Sequence, residues 1–177
     1  MERPQKRPIP DSYWVRPGRL LAGEYPGAPQ DKKARQKLRQ MLAAGVTFFL
    51  DLTEEGEYAL KPYAPLLQQE ATALGCPAKH HRRPIRDMRT PAREEMTHIL
   101  DTIDTALETG HTVYVHCYGG IGRTGTVIGC YLIRHGMSGQ EALNKIARLR
   151  QGTPDGWKRS PETETQRQMV LDWPKGR

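Results

Sequence analysis

Between Pro29 and Ala44 the apolar residues Ala34, Leu38, Met41 and Leu42 recur at helical intervals among charged neighbours, and Gly45 follows as a stop. That spacing predicts an amphipathic helix. Val46 to Leu52 changes period: it is rich in β-forming residues and apolar on both faces, as in a strand covered on each side. The alternation continues downstream. A helix is expected from about Leu60 to Leu74, an extended piece over Ala78 to Ile85, and a helix over Ala92 to Thr109. The last carries Met96, Ile99, Leu100, Ile103 and Leu107 on one face and Gly110 at its end. Thr112 to His116 is short and β-prone and runs into a glycine-rich loop, beyond which Val127 to Ile133 reads as helix. Ser138 caps a further helix through Arg150, and Ser160-Pro161-Glu162-Thr163 opens the last, with Pro161 at its first helical position. Ahead of all these, Arg19 to Tyr25 lies between Pro17-Gly18 and Pro26-Gly27 and predicts an edge strand or an extended segment.

Strands alternating with helices specify an α/β fold, here a single domain with a central, mostly parallel sheet flanked by helices. The chain's 177 residues suit one core. The folded part is expected over 18–173, after a basic, proline-rich flexible leader at 1–17 and before a flexible tail at 174–177. Hydrophobic residues make up 37% and charged residues 27%; the apolar positions come in periodic blocks, which excludes wholesale disorder. No apolar run approaches the roughly 20 residues of a membrane span, and the basic N-terminus lacks the apolar run of a secretory signal. Three cysteines, Cys76, Cys117 and Cys130, have no metal-ligand spacing and suit a reducing compartment, so a cytoplasmic address is expected. Lysine and arginine number 27 against 20 acidic residues, a formal charge of +7. This favours an anionic partner: a phosphorylated substrate, nucleic acid or a membrane surface.

The chemistry concentrates in Val115-His116-Cys117-Tyr118-Gly119-Gly120-Ile121-Gly122-Arg123-Thr124-Gly125, where a cysteine ends a strand and an arginine closes the loop six positions later. Three glycines let the backbone curve tightly so that successive N–H groups point inward as an anion-binding nest. The helix that follows adds its positive end. A thiol on the floor of such a nest favours the thiolate form. Arg123 brings a planar fork that can hold two phosphoryl oxygens. Cys117, Arg123 and the loop residues Tyr118, Gly119, Gly120, Ile121 and Gly122 are thus expected to hold a tetrahedral dianion.

His-Cys, five residues, then Arg-Thr-Gly resembles the signature loop of the cysteine-dependent protein tyrosine and dual-specificity phosphatases. The order of elements is similar to that family over roughly residues 18 to 172. The resemblance implies attack of Cys117 on phosphorus to give a phosphocysteine intermediate, with Thr124 stabilising the thiolate as it leaves and no metal or cofactor required. It also implies that His116 orients the loop rather than transferring a proton. Cys130 reads as core and Cys76 as a loop or strand-edge residue, with disulfide formation to Cys117 under oxidation as the alternative for either.

Phosphate-ester cleavage also needs an acid opposite the thiolate. Asp87 lies in Pro84-Ile85-Arg86-Asp87-Met88-Arg89-Thr90-Pro91, after an expected strand and thirty positions before Cys117. It resembles the mobile general-acid loop of the family, in the form found in dual-specificity members, because the Trp-Pro-Asp motif is absent. Asp51, Glu54, Glu55 and Glu57 form the next set. Lys79, Arg82, Arg83, Arg86, Arg89 and Arg93 read either as a substrate-steering patch or as an exposed charged face. Ser160 to Gln166 resembles the glutamine-bearing, water-orienting loop of tyrosine phosphatases at Thr163 and Gln166 alone; helix capping is the other reading.

The expected function is hydrolysis of phosphomonoesters, with a phosphorylated protein as partner, since the loop lacks the lysines typical of phosphoinositide phosphatases. The alternatives are a phosphatase of inositol phosphates, phosphoinositides or RNA 5′-triphosphates, and a catalytically silent phosphate- or nucleic-acid-binding module.

Overall fold

The computed structural model describes residues 5–177. Its strands are β1 (Ser12–Arg16), β2 (Leu20–Gly23), β3 (Phe48–Asp51), β4 (Lys79–Arg82) and β5 (Val113–His116). They form one sheet in the order β1-β2-β5-β3-β4. Only β1 and β2 pair antiparallel; β2 with β5, β5 with β3 and β3 with β4 are parallel. The expected α/β domain with a mostly parallel sheet is therefore present.

Six helices cover the two faces: α1 (Asp31–Ala43), α2 (Ala64–Leu74), α3 (Arg93–Glu108), α4 (Arg123–Arg134), α5 (Gly139–Arg150) and α6 (Glu164–Leu171). Side chains alternate across the strands, as a period of two requires. Val113 and Val115 of β5, Leu50 of β3 and Ala22 of β2 join the core beneath α3 to α6. Tyr114, Phe49 and Leu21 point to the other core, against α1 and α2. The buried faces of α1 and α3 carry the apolar residues that their periodicity marks. Glu70, buried on α2, pairs with Arg35 at 2.6 Å and with Arg39, tying α2 to α1.

Three expectations are corrected. The segment 1–17 is not a leader throughout: residues 1–4 lie outside the described residues, but Ser12–Arg16 is a strand with Tyr13, Trp14 and Val15 buried. Tyr13 and Val15 face one core and Trp14 the other, a strand pattern that the flanking Pro10 and Pro17 obscure. Consequently β1 takes the edge and β2, expected there, lies inside. Finally, α6 starts at Glu164 with Thr163 as its cap, not at Pro161. Ser160 and Pro161 are buried, and the Ser160 hydroxyl donates to the Ile121 carbonyl at 2.6 Å, so this stretch braces the glycine-rich loop instead.

Candidate active site

Parallel strands present their C-terminal ends together, the place where open α/β sheets bind ligands. Cys117 follows directly on β5, the middle strand, and is 3% exposed. From there Tyr118 to Gly122 turn back into α4, whose positive N-terminal end begins at Arg123. No backbone N–H from Tyr118 to Gly122 pairs with a backbone carbonyl among the described residues. Gly120, Ile121 and Gly122 are nevertheless buried. Buried donors of this kind need an acceptor from outside the loop.

The loop's shape depends on Gly120. Its φ is +69°, and a Cβ there would stand 2.3 Å from the Gly23 carbonyl carbon. Absence of a side chain thus lets the loop pack on the end of β2, where the Tyr25 N–H donates to the Tyr118 carbonyl at 2.9 Å.

Arg123 is 1% exposed and held along one edge of its guanidinium. Nη1 and Nη2 donate to the two carboxylate oxygens of Glu57 at 2.8 and 2.7 Å. Nη1 also reaches the Ile85 carbonyl at 2.9 Å and the Leu52 carbonyl at 3.3 Å. Nη2 lies 3.2 Å from the Asp87 carboxylate, while Nε is buried without a partner. One edge is therefore fixed, and the edge formed by Nε and Nη2 is the one able to receive a phosphoryl group. Burial works to lower the Arg123 pKa. The bonds to Glu57 and the negative charges at Cys117, Glu57 and Asp87 override it, raising the pKa above its ordinary value.

Asp87 sits in the turn between β4 and α3, as the sequence places it, and Tyr58 O–H donates to its carboxylate at 2.5 Å. Tyr58 belongs to a 3-10 turn at Glu57–Ala59, and Tyr58 and Ala59 have φ of 50° and 51°. Such values strain residues with side chains. The turn directs Glu57 onto Arg123 and Tyr58 onto Asp87 at once. Its residue pattern shows no helix or strand period, and Tyr58 was not among the expected site residues. Glu57 was expected only as an alternative acid; it is instead the partner of Arg123. Glu54 and Glu55 are exposed.

Beneath the loop, His116 is fully buried. Its Nδ1 is 3.2 Å from the Cys117 carbonyl and Nε2 is 2.7 Å from the Tyr63 hydroxyl. A carbonyl can only accept, so Nδ1 carries the hydrogen and Nε2 accepts from Tyr63. Burial lowers the His116 pKa to about 4, partly offset by the charge of Asp51. The imidazole is neutral at physiological pH and braces the backbone of Cys117. Asp51 receives bonds from Thr53 (2.9 and 2.6 Å), His80 (3.0 Å) and Arg82 (3.2 Å). Burial pushes its pKa up, but His116, which becomes charged at the low pH where Asp51 would take its proton, and the bonds from His80 and Thr53 hold it well below the usual carboxylate range.

The Thr124 hydroxyl, next to Arg123, is buried with no partner among the described residues. Gln166 is buried beside the loop; a Cβ on Gly122 would lie 3.0 Å from its amide oxygen. That oxygen accepts from the N–H of Glu162 and Thr163, and Nε2 donates to the Arg89 carbonyl at 3.3 Å. Thr163 and Gln166 form a capping box, so the capping reading of this segment holds structurally. Cys130 is buried in α4, where loss of solvation pushes its thiol up to about 12; Cys76 follows α2. The arginine-rich stretch divides: Arg82 turns to Asp51 and Arg83 to Glu95 at 3.8 Å, while Arg86, Arg89 and Arg93 are exposed.

A cysteine at a strand end, an arginine-closed loop with inward N–H groups and a neighbouring carboxylate have the chemistry to bind a phosphoryl group. Residues 10–170 match a family model described as the Swiss Army Knife protein DSP-PTPase phosphatase domain. The chain belongs to this family of cysteine-dependent dual-specificity and tyrosine phosphatases. It is 36% identical over 78 residues to the dual specificity protein phosphatase CDC14B of Mus musculus, covering 44% of this chain and 16% of that one. Cyclin-dependent kinase inhibitor 3 of Rattus norvegicus is 28% identical over 121 residues, covering 67% of this chain and 54% of the relative. The chain thus spans about half or less of these relatives. Among solved structures, Tk-PTP in the active form superposes with a TM-score of 0.68 at 25% identity, over 93% of this chain and 96% of that one.

Proposed function

We propose that the protein hydrolyses phosphomonoesters of phosphorylated proteins, phosphotyrosine foremost, through a phosphocysteine intermediate. The observation that carries the reading is the unpartnered, buried Nε of Arg123, close to Cys117 and framed by loop N–H groups without backbone acceptors. A phosphoryl group bound there accepts from Nε and Nη2 and displaces Asp87 from Nη2. Asp87 then stands over the ester oxygen.

In the first step the Cys117 sulfur bonds to phosphorus and the phosphorus–ester oxygen bond breaks; Asp87 gives its proton to the departing oxygen. In the second, Asp87 takes a proton from water, whose oxygen bonds to phosphorus as the phosphorus–sulfur bond breaks. The orphan hydroxyl of Thr124 supplies a hydrogen bond for the returning thiolate. Backbone N–H groups, the α4 terminus and Arg123 offset the charge on the equatorial oxygens throughout. The position of the Asp87 carboxyl group at the phosphoryl-binding edge of Arg123 supports a role in catalysis and counts against a binding-only module. Three free cysteines and the absence, among the described residues, of a helix long and apolar enough to cross a membrane fit action in the cytoplasm.

Hydrolysis of a small aryl phosphate, followed with acid trapping of the protein by mass, tests the reading. The native chain should turn over and accumulate a phosphorylated peptide containing Cys117, and Cys117→Ser should do neither. Turnover surviving in Cys117→Ser would refute it.

A further inference from the structure

A surface cavity of about 590 Å3 opens beside the cradle and shares Tyr118 and Gly119 with it. That volume lies within the roughly 300–1,000 Å3 of sites that enclose organic ligands. Tyr58 and Tyr118 pack together at its mouth, with ring centroids 5.2 Å apart, and Tyr58 also touches Asp87. Tyr25, Ala28, Pro29 and Leu60 give it an apolar wall, beside the charged Glu24, Lys37, Lys61 and Asp155. The cavity thus adjoins the place where a substrate's phosphate would be anchored on the loop.

The cavity's charges are already spent. Lys37 donates to Glu24 at 3.0 Å and to the carbonyls of Tyr25 and Gly27 at 2.7 and 3.3 Å, which uses all three of its hydrogens. Lys61 pairs with Asp31, and Asp155 with Lys158 at 2.9 Å. A second phosphate, or the further anionic groups of an inositol headgroup, would enter without an unpaired cation to meet them. Aromatic and aliphatic walls with neutralised charges suit a group that only needs to leave water.

We infer that this cavity binds an uncharged aromatic or aliphatic side chain of the phosphorylated polypeptide, within two residues of the phosphorylated one. An extended chain advances about 3.3 Å per residue, so such a neighbour falls beside the cradle. The inference rests on the phosphoprotein reading above and names the sequence that the site selects.

The test uses the full chain and one phosphotyrosine peptide series in which flanking positions are varied singly to Phe, Leu, Ala, Glu or phosphoserine. Values of kcat/KM are divided by that for a small aryl phosphate, which reports folding and chemistry alone. Phe or Leu at one flank should exceed Ala by about tenfold, the discrimination expected of an apolar pocket, and Glu or phosphoserine should gain nothing. Ala28→Trp, which fills the cavity, should shrink that preference to about twofold. Normal aryl-phosphate turnover with no flank preference in the native chain overturns the inference and leaves the phosphatase reading standing. So does a preference for the second phosphate, or for phosphoinositide vesicles over every peptide. Absence of all turnover overturns both.

Discussion

Glu57 holds Arg123 by two parallel hydrogen bonds, 2.7 Å to Nη2 and 2.8 Å to Nη1, so the guanidinium is oriented by a carboxylate sixty-six residues away in the chain. Both partners are largely removed from solvent, with side chains 9% and 1% exposed. A bidentate pair fixes a plane as well as a distance. Glu57→Gln keeps the shape but replaces one accepting oxygen with an N–H that faces another donor. The free edge of Arg123 should tilt, and kcat/KM for an aryl phosphate should fall by about 10²-fold, the cost of small misplacement at a reacting centre. An unchanged rate would show that Arg123 is held in place without the second accepting oxygen of Glu57.

Asp87 contacts both Arg123 and Tyr58, which is where an acid serving the leaving oxygen belongs. Its contribution depends on how badly that oxygen needs a proton. Asp87→Ala should lose about 10²–10⁴-fold on phenyl phosphate, whose leaving group is a poor one, and far less on a nitrophenyl ester. Equal losses on both would assign proton delivery elsewhere.

Legibility in the sequence followed the strength of local signals. The helical faces of α1 and α3 announce themselves by period, β3 and β5 by runs of β-forming residues, and Cys117 to Arg123 by glycines crowded between a cysteine and an arginine. Asp87 is flagged by a proline-bracketed loop. What was hidden depends on pairing over long distances. β1 is five residues between prolines, and only its partner β2 makes it a strand. The roles of Glu57 and Tyr58 come from a strained turn whose justification lies in Arg123 and Asp87. Tyr63 matters through His116, fifty-three positions on.

Stability should fall on mild acidification. In the unfolded chain His116 titrates near the ordinary value of about 6.5, whereas in the fold burial lowers it to about 4. Between these pH values the unfolded chain binds a proton that the native one refuses. Stability is therefore complete above pH 6.5 and drains away as pH falls toward 4, by about 3 kcal/mol. His81 and His111, also lowered by burial, add the same sign. Asp51, held below its ordinary value, extends the loss to lower pH. Urea midpoints at pH 7.5, 6 and 4.5 measure this; a midpoint constant over that range would mean that His116 takes up its proton as readily in the fold as in the unfolded chain.

Gln166 offers a direct choice between its two readings. Its amide oxygen already accepts two N–H groups and its nitrogen serves Arg89. Gln166→Ala should cost about 1 kcal/mol or more in stability, as loss of a cap does. The phosphorylated-Cys117 population in rapid-quench experiments should not rise. Accumulation of that intermediate at unaltered stability would instead make Gln166 a residue that orients the hydrolytic water.

Gly120 provides the sharpest test of the loop's geometry. At φ +69° a side chain is disfavoured, and the added methyl of Gly120→Ala would lie 2.3 Å from the Gly23 carbonyl carbon and 2.5 Å from its oxygen. Backbone, not a flexible side chain, must move, so the loop and the end of β2 have to separate. The strained conformation alone costs on the order of 1–3 kcal/mol. Because the same movement breaks the Tyr25 to Tyr118 hydrogen bond and reorients the loop N–H groups, kcat should fall together with Tm. Gly119→Ala is the comparison: its nearest neighbour is a flexible Ile121 methyl at 3.7 Å and its φ is not positive, so Tm should change little. If the two alanine variants behave alike, close packing of the loop on β2 is not what shapes the cradle.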